Sequence, residues 1–371
     1  MRTRSDHEYH VDARSGHVIS RRGFLKAAAA LGAAAAAAPS LAGCGGEEAE
    51  NGELNLFIWT EYVPEDLIDQ FAEEFGVSVN TTMYSSNEDM YSRFTSGDAD
   101  AFDVLLPSDY MVERLISAGL LQELDADKLE NLGNIAPQYL GRSCDPDNSY
   151  SVPYNVSVTG LAYTPDLFAE APTSWEALWG SECEGSLVVL DDPREVLGMV
   201  QRTLGMSGNE IDPDLLDQVR EKALELKPNI QLYDSDSPKS ALISGDAAGG
   251  LMWSAEIALA QRENDEVRGC FPEEGCVTAV DSWVIPAEAR NVENAMKFID
   301  FMLRPESART VSETYPYIQP NQAALELLGD DFRDNPLCNA PAEVAERGYV
   351  VSDLDADALE LYNDIWNEMK Q

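Results

Sequence analysis

Histidine is almost missing from this chain: its three copies, His7, His10 and His17, all lie before residue 18. Beyond them no imidazole is available as a general base, as the partner of a serine or cysteine nucleophile, or as a metal ligand. Lysine is scarce too, with only six beyond Cys44. The whole chain carries 25 Lys plus Arg against 67 Asp plus Glu. The first 43 residues hold six basic and three acidic groups, so the remainder has 19 against 64, a net charge of −45. Such a surface repels phosphate backbones and anionic lipid, which excludes nucleic acid as a partner. The acids are spread along the chain without an acidic tail, the pattern of a halophilic protein kept hydrated at high salt. A lone Asp or Glu is therefore uninformative here. No CxxC spacing occurs, so no zinc site, other metal or cofactor is expected. No segment after residue 43 approaches the roughly 20 apolar residues that span a bilayer.

What is present at the start reads as an export address. Ser20-Arg21-Arg22-Gly23-Phe24-Leu25-Lys26 is a twin-arginine motif. An Ala-rich stretch follows, and then Leu41-Ala42-Gly43-Cys44, which resembles a lipobox with Cys44 as the lipidated residue. The expectation is a signal peptide over 1–43 and a flexible Gly/Glu-rich tether over 44–52. The protein is then exported and held by lipid on the outer face of a membrane. Of the five other cysteines, Cys270 and Cys276 bracket Phe271-Pro272-Glu273-Glu274-Gly275, a turn that a disulfide would close. Cys144, Cys183 and Cys338 cannot be paired from spacing, and one cysteine is left odd.

From Leu54 onward, short apolar strands alternate with amphipathic helices. Leu54, Leu56 and Ile58 alternate with Asn55 and Phe57 as a half-buried strand, and Leu67, Ile68, Phe71 and Phe75 share a helical face after Pro64. Further strands are expected at 77–84, 101–106, 150–154, 156–163, 186–190, 230–233, 250–253 and 277–285. Helices are expected at 86–94, 194–204, 292–303 and 306–314. Thr173-Ser174-Trp175-Glu176 reads as a capping box, and Asp212 as a cap before Pro213. This alternation predicts an α/β protein with mostly parallel sheets, whose ligands sit beyond the carboxyl ends of the strands. Those ends carry Trp59-Thr60-Glu61-Tyr62, Pro107-Ser108-Asp109-Tyr110, Asp191-Asp192 with Glu195, Trp253-Ser254-Ala255-Glu256, and Asp281. Individually, Trp59 could cover a core edge and Asp191 or Asp192 could cap a helix. Together, aromatics and carboxylates without a lysine suit a flexible organic cation, rings against its methylenes and acids against its ammonium groups.

At these residues the chain resembles the spermidine/putrescine-binding proteins of polyamine ABC importers, from about Glu53 to the C-terminus. The likeness includes Ile58–Pro64, Ser85–Tyr91, Phe102–Ser108, Ser151–Tyr154, Thr173–Trp179, Asp191–Val196, Asp281-Ser282 and Leu303–Glu306. It implies a two-lobed, periplasmic-binding-protein-like (venus flytrap) fold with ligand in the cleft between lobes. Lobe 1 would comprise 53–157 plus 281–326, and lobe 2 would comprise 158–280 plus 327–371. Trp59, Tyr62, Tyr110, Trp253 and Tyr317 would be aromatic walls, and Asp192, Glu195 and Asp281 the ammonium acceptors. Thr60, Glu61 and Ser108 would be polar contacts, with Asp109 beside them and Asn367 standing where the family has a glutamine. Two other departures stand out. Ala279 replaces an aromatic two residues before the key aspartate, and Glu256 adds an acid where the family has a small residue. Trp283, on the strand face of Ala279 and Asp281, either replaces the lost wall or belongs to the lobe core. The reading is a non-catalytic, lipid-anchored, monomeric receptor that hands a polyamine to the permease of an ABC importer. The alternatives are a receptor for another organic cation, such as a quaternary amine, or a carboxylate-dependent extracellular hydrolase using Asp192 and Glu195.

Overall fold

In the computed structural model, residues 52–97 and 99–371 are described. The twin-arginine motif, the lipobox with Cys44 and nearly all of the tether lie outside the described residues. Nine strands form one curled sheet: β1 (Glu53–Trp59), β2 (Ser78–Tyr84), β3 (Val104–Leu105), β4 (Ser151–Tyr163), β5 (Leu187–Val189), β6 (Ile230–Tyr233), β7 (Gly249–Trp253), β8 (Arg268–Cys270) and β9 (Thr278–Val284). Their order is β2-β1-β3-β9-β4-β7-β5-β6, with β8 added against β4.

The expectation of mostly parallel pairing needs correcting. The flanks are parallel, β1 with β2 and β3, and β5 with β6 and β7. Every pairing made by β4 and β9 is antiparallel. The reason is that these two strands connect the halves rather than belong to a βαβ unit. β4 is also one strand where the sequence suggested two runs. Its register shifts between Pro153 and Asn155, where proline has no N–H to donate to the ladder.

Apolar side chains gather on two sides of that junction. One core takes Leu161, Val188, Leu197, Val219, Leu251 and Tyr362. The other half holds Leu56, Phe71, Trp283 and Phe298 on one face of the sheet and Phe57, Phe94 and Met111 on the opposite face. Phe57 is fully buried, so β1 is covered on both faces rather than half-buried. The chain enters the first core along β4, leaves it along β9, and re-enters it after Ile318 to finish in the helix Ala356–Lys370.

Local signals explain most helix ends. Ser86 Oγ accepts from the Asp89 N–H, and Asp212 Oδ1 accepts from the N–H groups of Asp214 and Leu215 ahead of a helix that has Pro213 first. The Thr173–Glu176 box resolves differently. Ser174 caps a short 3₁₀ turn, Trp175–Trp179, while Glu176 pairs with Lys222. Close strand approach explains one glycine: a Cβ on Gly250, at φ 149°, would lie 1.7 Å from the Val188 carbonyl oxygen. The proposed Cys270–Cys276 bridge is absent. All five described cysteines are thiols, and Cys270 Sγ donates instead to the Pro172 carbonyl oxygen at 3.2 Å.

Candidate functional site

The carboxyl ends of β1, β3, β5 and β7 meet the middle of β4 and β9 around a narrow cavity of about 60 Å³. The loop after β1 delivers Trp59, Thr60 and Tyr62 to its wall. Trp59 is fixed by its indole N–H, which donates to the Leu106 carbonyl at 2.7 Å, and its ring meets Trp253 edge-on at 6.4 Å. Tyr62 stacks edge-to-face on Tyr317 at 4.6 Å. Rigid aromatic walls of this kind cover methylenes and attract cations without losing many rotamers on binding.

The acids differ in how much of their charge is free. Asp281 is buried and accepts from Ser108 Oγ and the Tyr62 hydroxyl, both at 2.5 Å. Asn87 positions Ser108 by donating to its Oγ at 3.1 Å. Burial nevertheless holds the Asp281 carboxyl up at about 6, against the lowering pull of those two donors. Asp192 caps the helix Pro193–Thr203 through Oδ1, which accepts from Arg194 N at 2.7 Å and Glu195 N at 3.3 Å. Burial and then the neighbouring Glu88 carboxylate push Asp192 to about 6, opposed by those N–H groups. Glu195 accepts from Thr159 Oγ1 at 2.7 Å and from the Trp253 indole at 3.3 Å. Burial and the Asp192 charge raise it to about 8. Three buried carboxyls are thus gathered in one cavity, and no cationic side chain among the described residues makes a direct ion pair with them.

Asp109 also reaches the wall, but its charge is spent. Arg142 grips both its oxygens at 2.7 Å, and the Val280 N–H donates to Oδ2 at 3.0 Å. Tyr110 lines the cavity with its hydroxyl donating to Glu88 Oε1 at 2.8 Å, leaving Glu88 Oε2 buried and without a partner. Two expected residues are elsewhere. Glu61 is exposed at φ 49°, and its carboxylate pairs with Lys239 rather than lining the cavity. Asn367 is exposed near the end of the C-terminal helix, in a shallow depression with Asp364 and Lys370. That helix turns its buried stripe of Tyr362, Trp366 and Met369 into the core, which leaves Asn367 on the solvent side. Asp191 is likewise away from the wall and bridges Lys370 at 2.6 Å.

Ala279 lines the cavity, whereas Trp283 is fully buried against Tyr154 and Phe298. Trp283 is lobe core and does not replace a wall. Sequence reading missed Arg194, Tyr84 and Ser235. Arg194 is buried in the wall, donates to the Ser352 carbonyl at 2.5 Å and lies 5.5 Å from the Tyr110 ring. Its signal was available, being an arginine in the first turn of a helix, where a cation is disfavoured. Among the described residues no cluster of acids, cysteines or histidines could hold a metal ion, and no helix is long and apolar enough to cross a membrane.

Comparison with known proteins agrees with this geometry. The chain is 35% identical over 322 residues to the spermidine/putrescine-binding periplasmic protein of Escherichia coli, covering 86% of this chain and 92% of the relative. It is 28% identical over 344 residues to a putrescine-binding periplasmic protein of the same organism, covering 87% and 92%. Among solved structures, a putative spermidine/putrescine ABC transporter protein from Listeria monocytogenes superposes with a TM-score of 0.83 at 31% identity, covering 86% of this chain and 99% of that one. Residues 66–340 match the model of the bacterial extracellular solute-binding proteins. A paired-core α/β fold closed around a cavity, and relatives of this kind across nearly their full length, place the chain in that family of solute-binding receptors, which are not enzymes.

Proposed function

We propose that this receptor captures a linear polyamine and delivers it to the permease of an ABC importer, while anchored by lipid on Cys44. The observation that carries the ligand class is the set of three elevated carboxyls, Asp192, Glu195 and Asp281, between the rings of Trp59, Tyr62, Tyr110, Trp253 and Tyr317. Ammonium groups supply what this site lacks, charge together with N–H donors. A quaternary amine would bring charge but no donor, and could not hydrogen-bond the lone pairs that these three carboxyls have left over. The similarity to spermidine/putrescine- and putrescine-binding proteins points the same way. The two cores correspond on this reading to lobes of 53–157 plus 281–326 and 158–280 plus 327–371, closing on the ligand as a monomer.

Calorimetry on the soluble domain tests the ligand class. One-to-one binding of putrescine or spermidine supports it, and binding of an amino acid or sugar with no response to any polyamine would sink it. Saturation at 100 times the dissociation constant should add about 2.7 kcal/mol of stability. For the anchor, Cys44→Ser should release the protein into the medium with unchanged ligand affinity. Retention of that variant in the membrane fraction would count against lipidation.

A further inference from the structure

A cation stands just behind the cavity wall, outside its lining. Lys239 begins the short helix Lys239–Ser244, and its ammonium is held by Glu61, by Glu256 at 3.1 Å and by Ser237 Oγ at 3.1 Å. Glu256 is nearly fully buried, with a side-chain exposure of 5%, and the Lys239 side chain is 16% exposed. Glu61 belongs to the half built on β1, whereas Lys239 and Glu256 flank β7 in the other half. The group borders the ligand space on several sides. Thr60 and Tyr62, on either side of Glu61, line the cavity, as do Trp253, three residues before Glu256, and Ser235, two before Ser237. The Tyr317 phenol in the same wall feels both carboxylates. Ser235 Oγ is buried and has no partner. Two carboxylates and a hydroxyl beside an aromatic ring are the surroundings an ammonium requires. Here the chain provides that ammonium itself.

We propose that Lys239 is a specificity-determining residue, an internal ammonium that occupies the acidic position just behind the cavity wall and thereby selects a short diamine over a longer triamine. This rests on the polyamine reading above. The two ammonium groups of a diamine go to Asp281 and to the Asp192–Glu195 pair, the acids that no lysine or arginine engages in an ion pair. A third ammonium would meet Lys239 where its own acceptors are already occupied, and like charges brought together in a low-dielectric site repel strongly. Asp109 offers no alternative, because Arg142 holds it.

Calorimetric titration of the wild type, Lys239→Met and Lys239→Arg with putrescine and with spermidine tests this, each variant having its melting curve recorded. The wild type should bind putrescine more tightly than spermidine. Lys239→Met should shift the spermidine-to-putrescine affinity ratio by about tenfold or more toward spermidine, and Lys239→Arg should leave it near the wild-type value. Equal weakening of both amines by Lys239→Met would make the lysine a mere strut between the halves and overturn the proposal. So would a wild-type preference for spermidine, a readout that needs no folded variant. Failure of both amines to bind the wild type would instead bring down the polyamine reading itself.

Discussion

Asp109 and Asp192 line the same cavity, yet only one is available to a ligand. Arg142 neutralises Asp109, while Asp192 makes no ion pair among the described residues, feels Arg194 only as a minor charge, and has one oxygen free of the helix cap. Asp192→Asn and Asp281→Asn should each weaken polyamine binding by about 1.5–3 kcal/mol, the worth of a hydrogen bond to a charged group. Asp330→Asn, on the surface, should change nothing. Equal weakening by that control in calorimetry would assign the attraction to the diffuse field instead. The raised carboxyls also make a pH prediction. In the empty cavity Glu195 keeps its proton to about 8, and Asp192 and Asp281 to about 6. A bound ammonium favours the ionised acid, so binding expels protons, and affinity should climb as pH rises from about 5 to 8 before levelling off. The same shifts destabilise the empty protein over that window. A carboxyl whose folded pKa is raised supports the fold while protonated, and that support is lost as pH rises through the folded value. Heats of binding measured at pH 6.5 in buffers of different ionisation enthalpy should therefore differ, and identical heats would contradict the scheme.

At the scale of elements, β9 shows how one strand serves both ligand and core. Its alternate residues Ala279, Asp281 and Trp283 run from the cavity wall into the interior. Trp283→Ala should cost about 3–5 kcal/mol of stability, as loss of a buried aromatic does, and leave the affinity of the folded fraction unchanged. Ala279→Trp should tighten polyamine binding by about 0.5–2 kcal/mol, by adding a ring beside the bound chain. A melting curve and a titration on each variant separate these effects, and loss of affinity in Trp283→Ala would return that ring to the cavity. The same strand marks what was legible beforehand. Short apolar runs bounded by turn residues located most strands to within a residue or two, although β7 and β9 are buried along most of their length, and β8 was missed. The loop after β1, the Asp192–Glu195 turn and Asp281 were visible because strand ends are where such sheets place ligands. Long-range partners were not visible. Nothing local says that Arg142 would spend the charge of Asp109, that Lys239 would draw Glu61 away, or that Asn367 would fall on the solvent side of the last helix. The direction of β4 and β9 was hidden likewise, since an antiparallel connector between halves has the same alternation as a parallel core strand.

For the molecule as a whole, a charge of −45 beyond residue 43 acts on a cationic ligand long before contact. Field and cavity contribute to different steps. The field raises the rate of encounter, by factors of about 10 to 1,000 for strongly charged surfaces, and salt screens it because the Debye length falls from about 10 Å at 0.1 M to about 3 Å at 1 M. Contacts inside the cavity are buried and little screened, and they set the rate of escape. Stopped-flow fluorescence of Trp59 and Trp253, which face each other across the cavity wall, should separate the two steps. Raising salt from 0.1 to 1 M should slow association by about tenfold or more while leaving dissociation within about twofold. A dissociation rate that rises steeply with salt would mean that the ligand is held by exposed surface acids rather than by Asp192, Glu195 and Asp281. A halophilic medium would already screen the field, so capture there would depend on the cavity, and the three elevated carboxyls would carry the affinity.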